Sequence, residues 1–325
     1  MNKRKTLIAL FALSTLPFAT SAQDPGKIWR IGFMGAVRTP DGNVPAPFRQ
    51  GLQAMGYVEG RNAVYEARFT QGRTERFATL ATELVALKVD LIIVASAPGA
   101  AAAKQATSTI PLVVYGAGDV MEVGLVPSLA RPGGNLTGVN DPAAELSTKR
   151  LEILKEVVPS AKRFAVLWNA GDNAMTLRFR EIERAAKILR VAIEPLPVRE
   201  PDDFDVAMAA MNRARPDALI MVADGLTNLN RQRVFDYAAK NRIPAMYEQG
   251  AAVHAGGLMS YGAGGADVNK LVVEYVAKIL KGAKPADLPV EQPNRYYLDI
   301  NMKTAKALGL TIPQAVLMRA DEVIQ

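Results

Sequence analysis

Cysteine is absent from the chain, and histidine occurs once, at His254. Those two scarcities exclude a disulfide scaffold, thiol chemistry and zinc sites of the His/Cys type. The short signatures of common catalysts are missing as well. There is no G-x-S-x-G elbow, no H-E-x-x-H pair and no G-x-x-x-x-G-K-[ST] phosphate loop. Gly116-Ala117-Gly118 follows an apolar run, but Met121 stands where a dinucleotide fingerprint needs its third glycine. His254 sits beside Gly256 and Gly257 with no partner in sight to orient it as a base. No enzyme, cofactor or metal is expected from this inventory. Low-complexity tracts are also lacking, so disorder is not expected.

Long apolar runs are scarce too. Near the start, Lys3, Arg4 and Lys5 precede an apolar stretch, Leu7–Leu13, which is followed by Pro17 and closed by Thr20-Ser21-Ala22. This is the layout of a secretory signal peptide over residues 1–22. The alternative is a membrane anchor, but the stretch is shorter than the ~20 residues that span a bilayer. A lipid-anchored exported protein needs a cysteine after its cleavage site, so the mature chain is expected free in a periplasm. Cleavage would take three positive charges from a net +7, leaving +4. With no long basic run, no nucleic-acid partner is expected.

What is present is length and alternation. A chain of 325 residues exceeds what one core usually serves, so two domains are expected. Strand-like runs such as Trp29–Phe33, Val89–Ala95, Leu112–Tyr115, Phe164–Trp168 and Ala218–Val222 alternate with helical stripes such as Glu75–Leu87, Ala174–Leu189 and Asp267–Leu280. Val89–Ala95 is nearly all apolar, as a strand buried on both faces of a parallel sheet should be. The pattern predicts an α/β fold of two doubly wound, Rossmann-like lobes with parallel sheets. Each run holds about five β-α units, and the break falls near Asn140.

Doubly wound lobes bind ligands at the carboxyl ends of their strands. The residues there are Ser96-Ala97, Tyr115, Asp119, Asn169, Asp224 and Tyr247. Ser96 is a favoured helix cap and Pro98 suits a first helical turn, so unpaired N–H groups should form a carboxylate site. An ordinary cap with nothing bound fits the same residues. Tyr115, Asn169, Asp224 and Tyr247 also fit turns or caps, and their shared position is what draws them together.

At 128–138 (SLARPGGNLTG) the chain resembles the ABC-transporter substrate-binding proteins, a family that includes tryptophan-binding members. Stretches 51–60 (GLQAMGYVEG), 104–111 (KQATSTIP), 256–262 (GGLMSYG), 281–293 (KGAKPADLPVEQP) and 303–313 (KTAKALGLTIP) match as well. The resemblance implies a type I periplasmic binding fold whose two lobes are joined by three crossovers. These fall near Val139–Pro142, Tyr261–Gly265 and Leu288–Pro293. Lobe 1 is then 27–140 plus 264–288, and lobe 2 is 141–263 plus 289–325. Asn140 and Tyr261, at the crossovers, join the candidate ligand residues.

The likeness is poorest at Gly118-Asp119-Val120-Met121, where relatives read Gly-Asp-Pro-Val, and around Ala223-Asp224-Gly225, where they often read Pro-Asp-Pro. Arg38, just past the first strand, is an unusual charge to find near a cleft. The implied function is periplasmic capture of a small carboxylate, such as an amino acid, by a monomer that hands it to an ABC permease and its ATPase subunit. A ligand-binding module signalling to a membrane sensor has the same cleft and remains open.

Overall fold

The computed structural model describes residues 26–325; the expected signal peptide, 1–22, lies outside them. Five strands build the first sheet: β1 (Trp29–Gly35), β2 (Ala63–Phe69), β3 (Leu91–Ala95), β4 (Leu112–Gly118) and β5 (Leu136–Asp141). Their order is β2-β1-β3-β4-β5, all parallel. Helices α1 (Ala46–Ala54), α2 (Phe77–Ala86) and α3 (Ala97–Ala106) supply its crossovers. The apolar stripe of α2 buries Phe77, Leu80, Ala81 and Leu84, and β3 buries Leu91 to Val94. A strand covered on both faces needs no polar alternation, which is why β3 reads as a continuous apolar run.

The second lobe continues the alternation. Its elements are α4 (Ala143–Val157), β6 (Arg163–Asn169), α5 (Asn173–Leu189), β7 (Ala192–Val198), α6 (Asp203–Ala214), β8 (Ala218–Met221), α7 (Gly225–Leu229), α8 (Arg231–Lys240), β9 (Ala245–Tyr247), α9 (Gly250–His254) and β10 (Met259–Ala263). After β10 comes α10 (Gly265–Leu280), which packs on α1, β4 and β5 of the first lobe. The chain ends with β11 (Tyr296–Asn301), α11 (Met302–Leu308), α12 (Gln314–Leu317) and β12 (Glu322–Ile324). The second sheet runs β12-β11-β10-β9-β8-β6-β7.

The chain therefore passes between sheets three times. It leaves β5 for α4, leaves β10 for α10, and returns after α10 to β11. The last passage lies along the first: Asn140 N–H donates to Glu291 O at 2.8 Å, and Glu291 N–H to Gly138 O at 3.0 Å. The Thr137 hydroxyl adds a bond to Leu288 O at 2.8 Å. The sheets are parallel as expected, with one antiparallel pairing. β11 is antiparallel to β10. The cause is the connection, since β10 leaves the sheet toward the crossovers and β11 re-enters from them.

Gly138 lies where β5 meets both β4 and the returning segment. Its φ is +131°, and a Cβ there would sit 2.4 Å from Val114 O and 2.6 Å from Val114 N. Gly134 also has a positive φ, +66°, but open space around it. Gly138→Ala should lower stability by about 3 kcal/mol or more, while Gly134→Ala should cost only about 1 kcal/mol for the left-handed backbone. Urea unfolding of both variants checks this, and equal losses would contradict it.

Candidate functional site

The carboxyl ends of strands from both lobes meet in one cleft. The first lobe brings Ala36, Thr70, Thr74, Phe77, Ser96 and Pro98; the second brings Asn169, Asp172, Asp224 and Leu226. The walls nearly touch. A Cβ on Gly225 would lie 2.1 Å from the Cβ of Ala36, and one on Gly72 would lie 3.0 Å from Leu226. The remaining cavity is about 10 Å³, on the scale of one water. The lobes are thus closed on each other.

Ser96 sits between β3 and α3 with φ +112°, an unusual angle for a residue with a side chain. Its Oγ accepts the Gly99 N–H at 3.3 Å, and its carbonyl accepts the Ala100 N–H at 3.1 Å. Pro98 has no N–H. Fewer first-turn donors are therefore left than the sequence suggested, namely the Ala97 amide and the Ser96 hydroxyl.

Acid gathers on the facing wall. Asp172 caps α5, its Oδ1 accepting the Ala174 N–H at 2.8 Å. Burial, with the nearby Asp224 second, pushes its carboxyl up to about 6. Asp224 caps α7 by accepting the Thr227 N–H at 2.8 Å, and it accepts the Asn169 amide at 2.6 Å. Both carboxylates follow strand ends, where a polar residue starting a helix is the local rule.

The other expected residues are scattered. Arg38 is exposed, its guanidinium over Gly42, and does not line the cleft. Ala97 is buried behind Ser96. Tyr115 packs edge-on to Phe48 at 5.0 Å, and Tyr247 edge-on to Phe235 at 4.9 Å, each within its own lobe. Asn140 is buried at the first crossover and accepts the Val120 N–H at 2.9 Å. The Tyr261 carbonyl accepts from Arg150 Nε at 2.7 Å. So the structure brings Ser96, Asn169 and Asp224 together and leaves the rest outside this lining.

Asp119 belongs to a cluster that the sequence reading missed. Behind the cleft, Glu248 accepts from Arg150 at 2.8 Å and from Arg178 at 2.6 Å, with all three side chains buried. Arg178 also meets Asp141 of the first crossover at 3.1 Å. Asp119 lies close enough to feel Arg178, yet burial still pushes it up to about 6. Burial opposes the charge on both arginines. It wins at Arg150, whose pKa is lowered, and loses at Arg178, where Glu248, Asp141, Asp119 and Asp172 raise it. Both remain cations at neutral pH.

A sequence signal for this cluster existed. Arg150 lies between the buried Ser147 and Leu151 on α4, and Arg178 between the buried Met175 and Phe179 on α5. Arginine on the core stripe of an amphipathic helix implies a buried partner.

Comparison with known proteins decides the family. The family model described as "ABC transporter substrate binding protein" matches residues 44–324. The chain belongs to that family. A similar relative is a "Tyrosine-binding protein" of Clostridioides difficile (strain R20291), 27% identical over 88% of this chain and 83% of the relative. Among solved structures, an ABC domain from Streptococcus pneumoniae in complex with L-Trp is 27% identical, with TM-score 0.81 over 92% of this chain and 100% of that one. A ligand-free, open substrate binding protein from Clostridium difficile is 24% identical and aligns at TM-score 0.61 over 92% and 100%. This substrate-binding protein has the type I periplasmic binding fold.

The buried cluster of the substrate-binding protein gives a stability test. Glu248→Gln leaves two buried cations short of one charge and should cost about 3–5 kcal/mol. Glu156→Gln, which breaks an exposed pair with Arg319, should cost at most about 1 kcal/mol. Chemical denaturation that finds the two equal would contradict the reading.

Proposed function

We propose that this chain captures an amino acid with an apolar side chain between its lobes, in the periplasm, and delivers it to an ABC permease. The observation that carries the proposal is the opposed chemistry of the two cleft walls. One wall offers hydroxyls at Thr70, Thr74 and Ser96 and the positive end of α3. The other offers the carboxylates of Asp172 and Asp224 with Asn169 between strand and helix. An α-amino acid carries the complementary pair, a carboxylate for the first wall and an ammonium for the second. Phe77, Pro98 and Leu226 are the apolar lining residues that its side chain would meet once the lobes part far enough to admit it. The relatives named for tyrosine and solved with L-Trp bind ligands of this class.

Closure follows from the same arrangement. A ligand favours the closed form only through contacts made there and lost on opening. A zwitterion bridging both walls has such contacts, whereas a simple amine or carboxylate reaches one. The lining contains no cysteine or histidine and no hydroxyl paired with a base, so capture without turnover is the reading we adopt. Delivery to the permease and its ATPase, by a monomeric protein, is what the family implies.

Titration calorimetry with L-tryptophan and L-tyrosine tests the wall assignment. Ser96→Ala removes a bond to a charged group, worth roughly 1.5–3 kcal/mol, so the Kd should rise about 10- to 150-fold. The ionised Asp172 is the form that attracts an ammonium, and its carboxyl titrates near 6. Affinity should therefore increase as pH rises through 6 and then level off, with proton release on binding below that pH. Asp172→Asn should weaken binding and flatten this dependence. A parent affinity independent of pH, together with an unchanged Ser96→Ala, would contradict the assignment.

A further inference from the structure

A second cavity lies in the second lobe, away from the cleft and sharing no lining residue with it. It opens between α8 and α11 over the β9 and β10 region in the middle of the sheet. Its volume is about 310 Å³, within the range of small-molecule sites. The sequence explains why it is there. The connection between β9 and β10 contains only the five-residue α9, too short to cover the sheet beneath it. The flanking helices present Ala239 and Ala307 at the mouth, and neither side chain is large enough to fill the gap. Gly257 has no room for a side chain, since a Cβ would lie 2.7 Å from the Tyr247 ring and 2.8 Å from Ala252 O.

The walls are apolar and the rim is cationic. Phe235, Ile243, Tyr247 and Leu258 are each less than a tenth exposed and line the interior. Lys303, at the start of α11, is exposed at the rim and forms no ion pair among the described residues. Tyr247 is 1% exposed, yet its hydroxyl has no hydrogen-bond partner among the described residues. That hydroxyl is therefore available to a polar atom of an occupant.

We propose that this cavity is a second ligand site, for a small amphipathic monocarboxylate of the medium-chain fatty-acid type. Its hydrocarbon body lies against Phe235, Ile243 and Leu258, and its carboxylate reaches the Lys303 ammonium at the mouth. The Tyr247 hydroxyl supplies the one polar contact inside. An amino acid fits this site poorly, because no carboxylate lines the cavity to receive an ammonium. The site stands apart from the inter-lobe cleft and does not depend on what that cleft binds.

Decanoate is the probe, titrated into the mature protein by calorimetry with decanol for comparison. Decanoate should bind with one-to-one stoichiometry and more tightly than decanol. Ala307→Phe, which fills the mouth from an exposed helix position, should weaken it at least tenfold. Lys303→Gln should weaken it about three- to fivefold, as expected for a rim charge in water. Both variants should unfold at the parent's temperature and keep its response to L-tryptophan or L-tyrosine, whatever that response is. The absence of binding at roughly 1 mM decanoate, a Kd weaker than is useful for a built site, would overturn the proposal. So would binding indifferent to Ala307→Phe, or displacement of decanoate by an amino acid bound in the cleft.

Discussion

A carboxylate buried between two buried guanidiniums is the constraint on which the second lobe and its junction depend. Glu248 follows β9, Arg150 comes from α4 and Arg178 from α5, so three separate elements must arrive in register for any of the charges to be buried. Charges removed from water are tolerated only when paired and well bonded. Arg178 extends the pairing to Asp141 at the first crossover, and Arg150 binds the Tyr261 carbonyl beside the second. Gly118 of the first lobe approaches so closely that a Cβ would sit 2.7 Å from the Arg178 guanidinium. The cluster thus fixes where the crossovers leave the second lobe.

The cleft is built on that base by repetition of one local device. A polar residue ends a strand and caps the next helix, as at Ser96, Asp172 and Asp224. Each cap satisfies helix donors and at the same time places a polar group at the cleft wall. Because the caps come from different lobes, hydroxyls and carboxylates line the same cleft. Ala36 against Gly225 sets how far the lobes approach. Glycine at 225 is the small residue that this approach requires.

Much of this was legible in the residues. The alternating apolar runs located most of β1 to β10, because a strand buried on both faces and an amphipathic helix have different periods. Ser96, Asn169 and Asp224 were readable from their place at strand ends. Tyr115 and Tyr247 satisfied the same rule but turned inward, since an aromatic ring at a strand end gains more from packing on Phe48 or Phe235 than from a solvated cleft. Asp172, three residues beyond β6, was hidden by the turn that carries it back to the wall. The antiparallel β11 was illegible because strand direction there follows from the third crossover, a tertiary feature. Arg150 and Arg178 were visible as misfits on apolar stripes, but their partner Glu248 lies about 70 or more residues away in sequence, and no periodicity reveals such a pairing.

The central claim is that the two walls recognise the two ends of one zwitterion. The most direct measurement is a thermal-shift panel of the protein amino acids, followed by analogues of the best ligand that lack either the amino or the carboxylate group. A ligand at 100 times its Kd adds about 2.7 kcal/mol of stability, a readily measured rise in Tm. The account predicts such a rise for at least one amino acid and little or none for either truncated analogue at the same concentration. An analogue without its amino group that stabilises the protein as well as the parent amino acid would contradict it, and so would a panel in which no amino acid moves Tm.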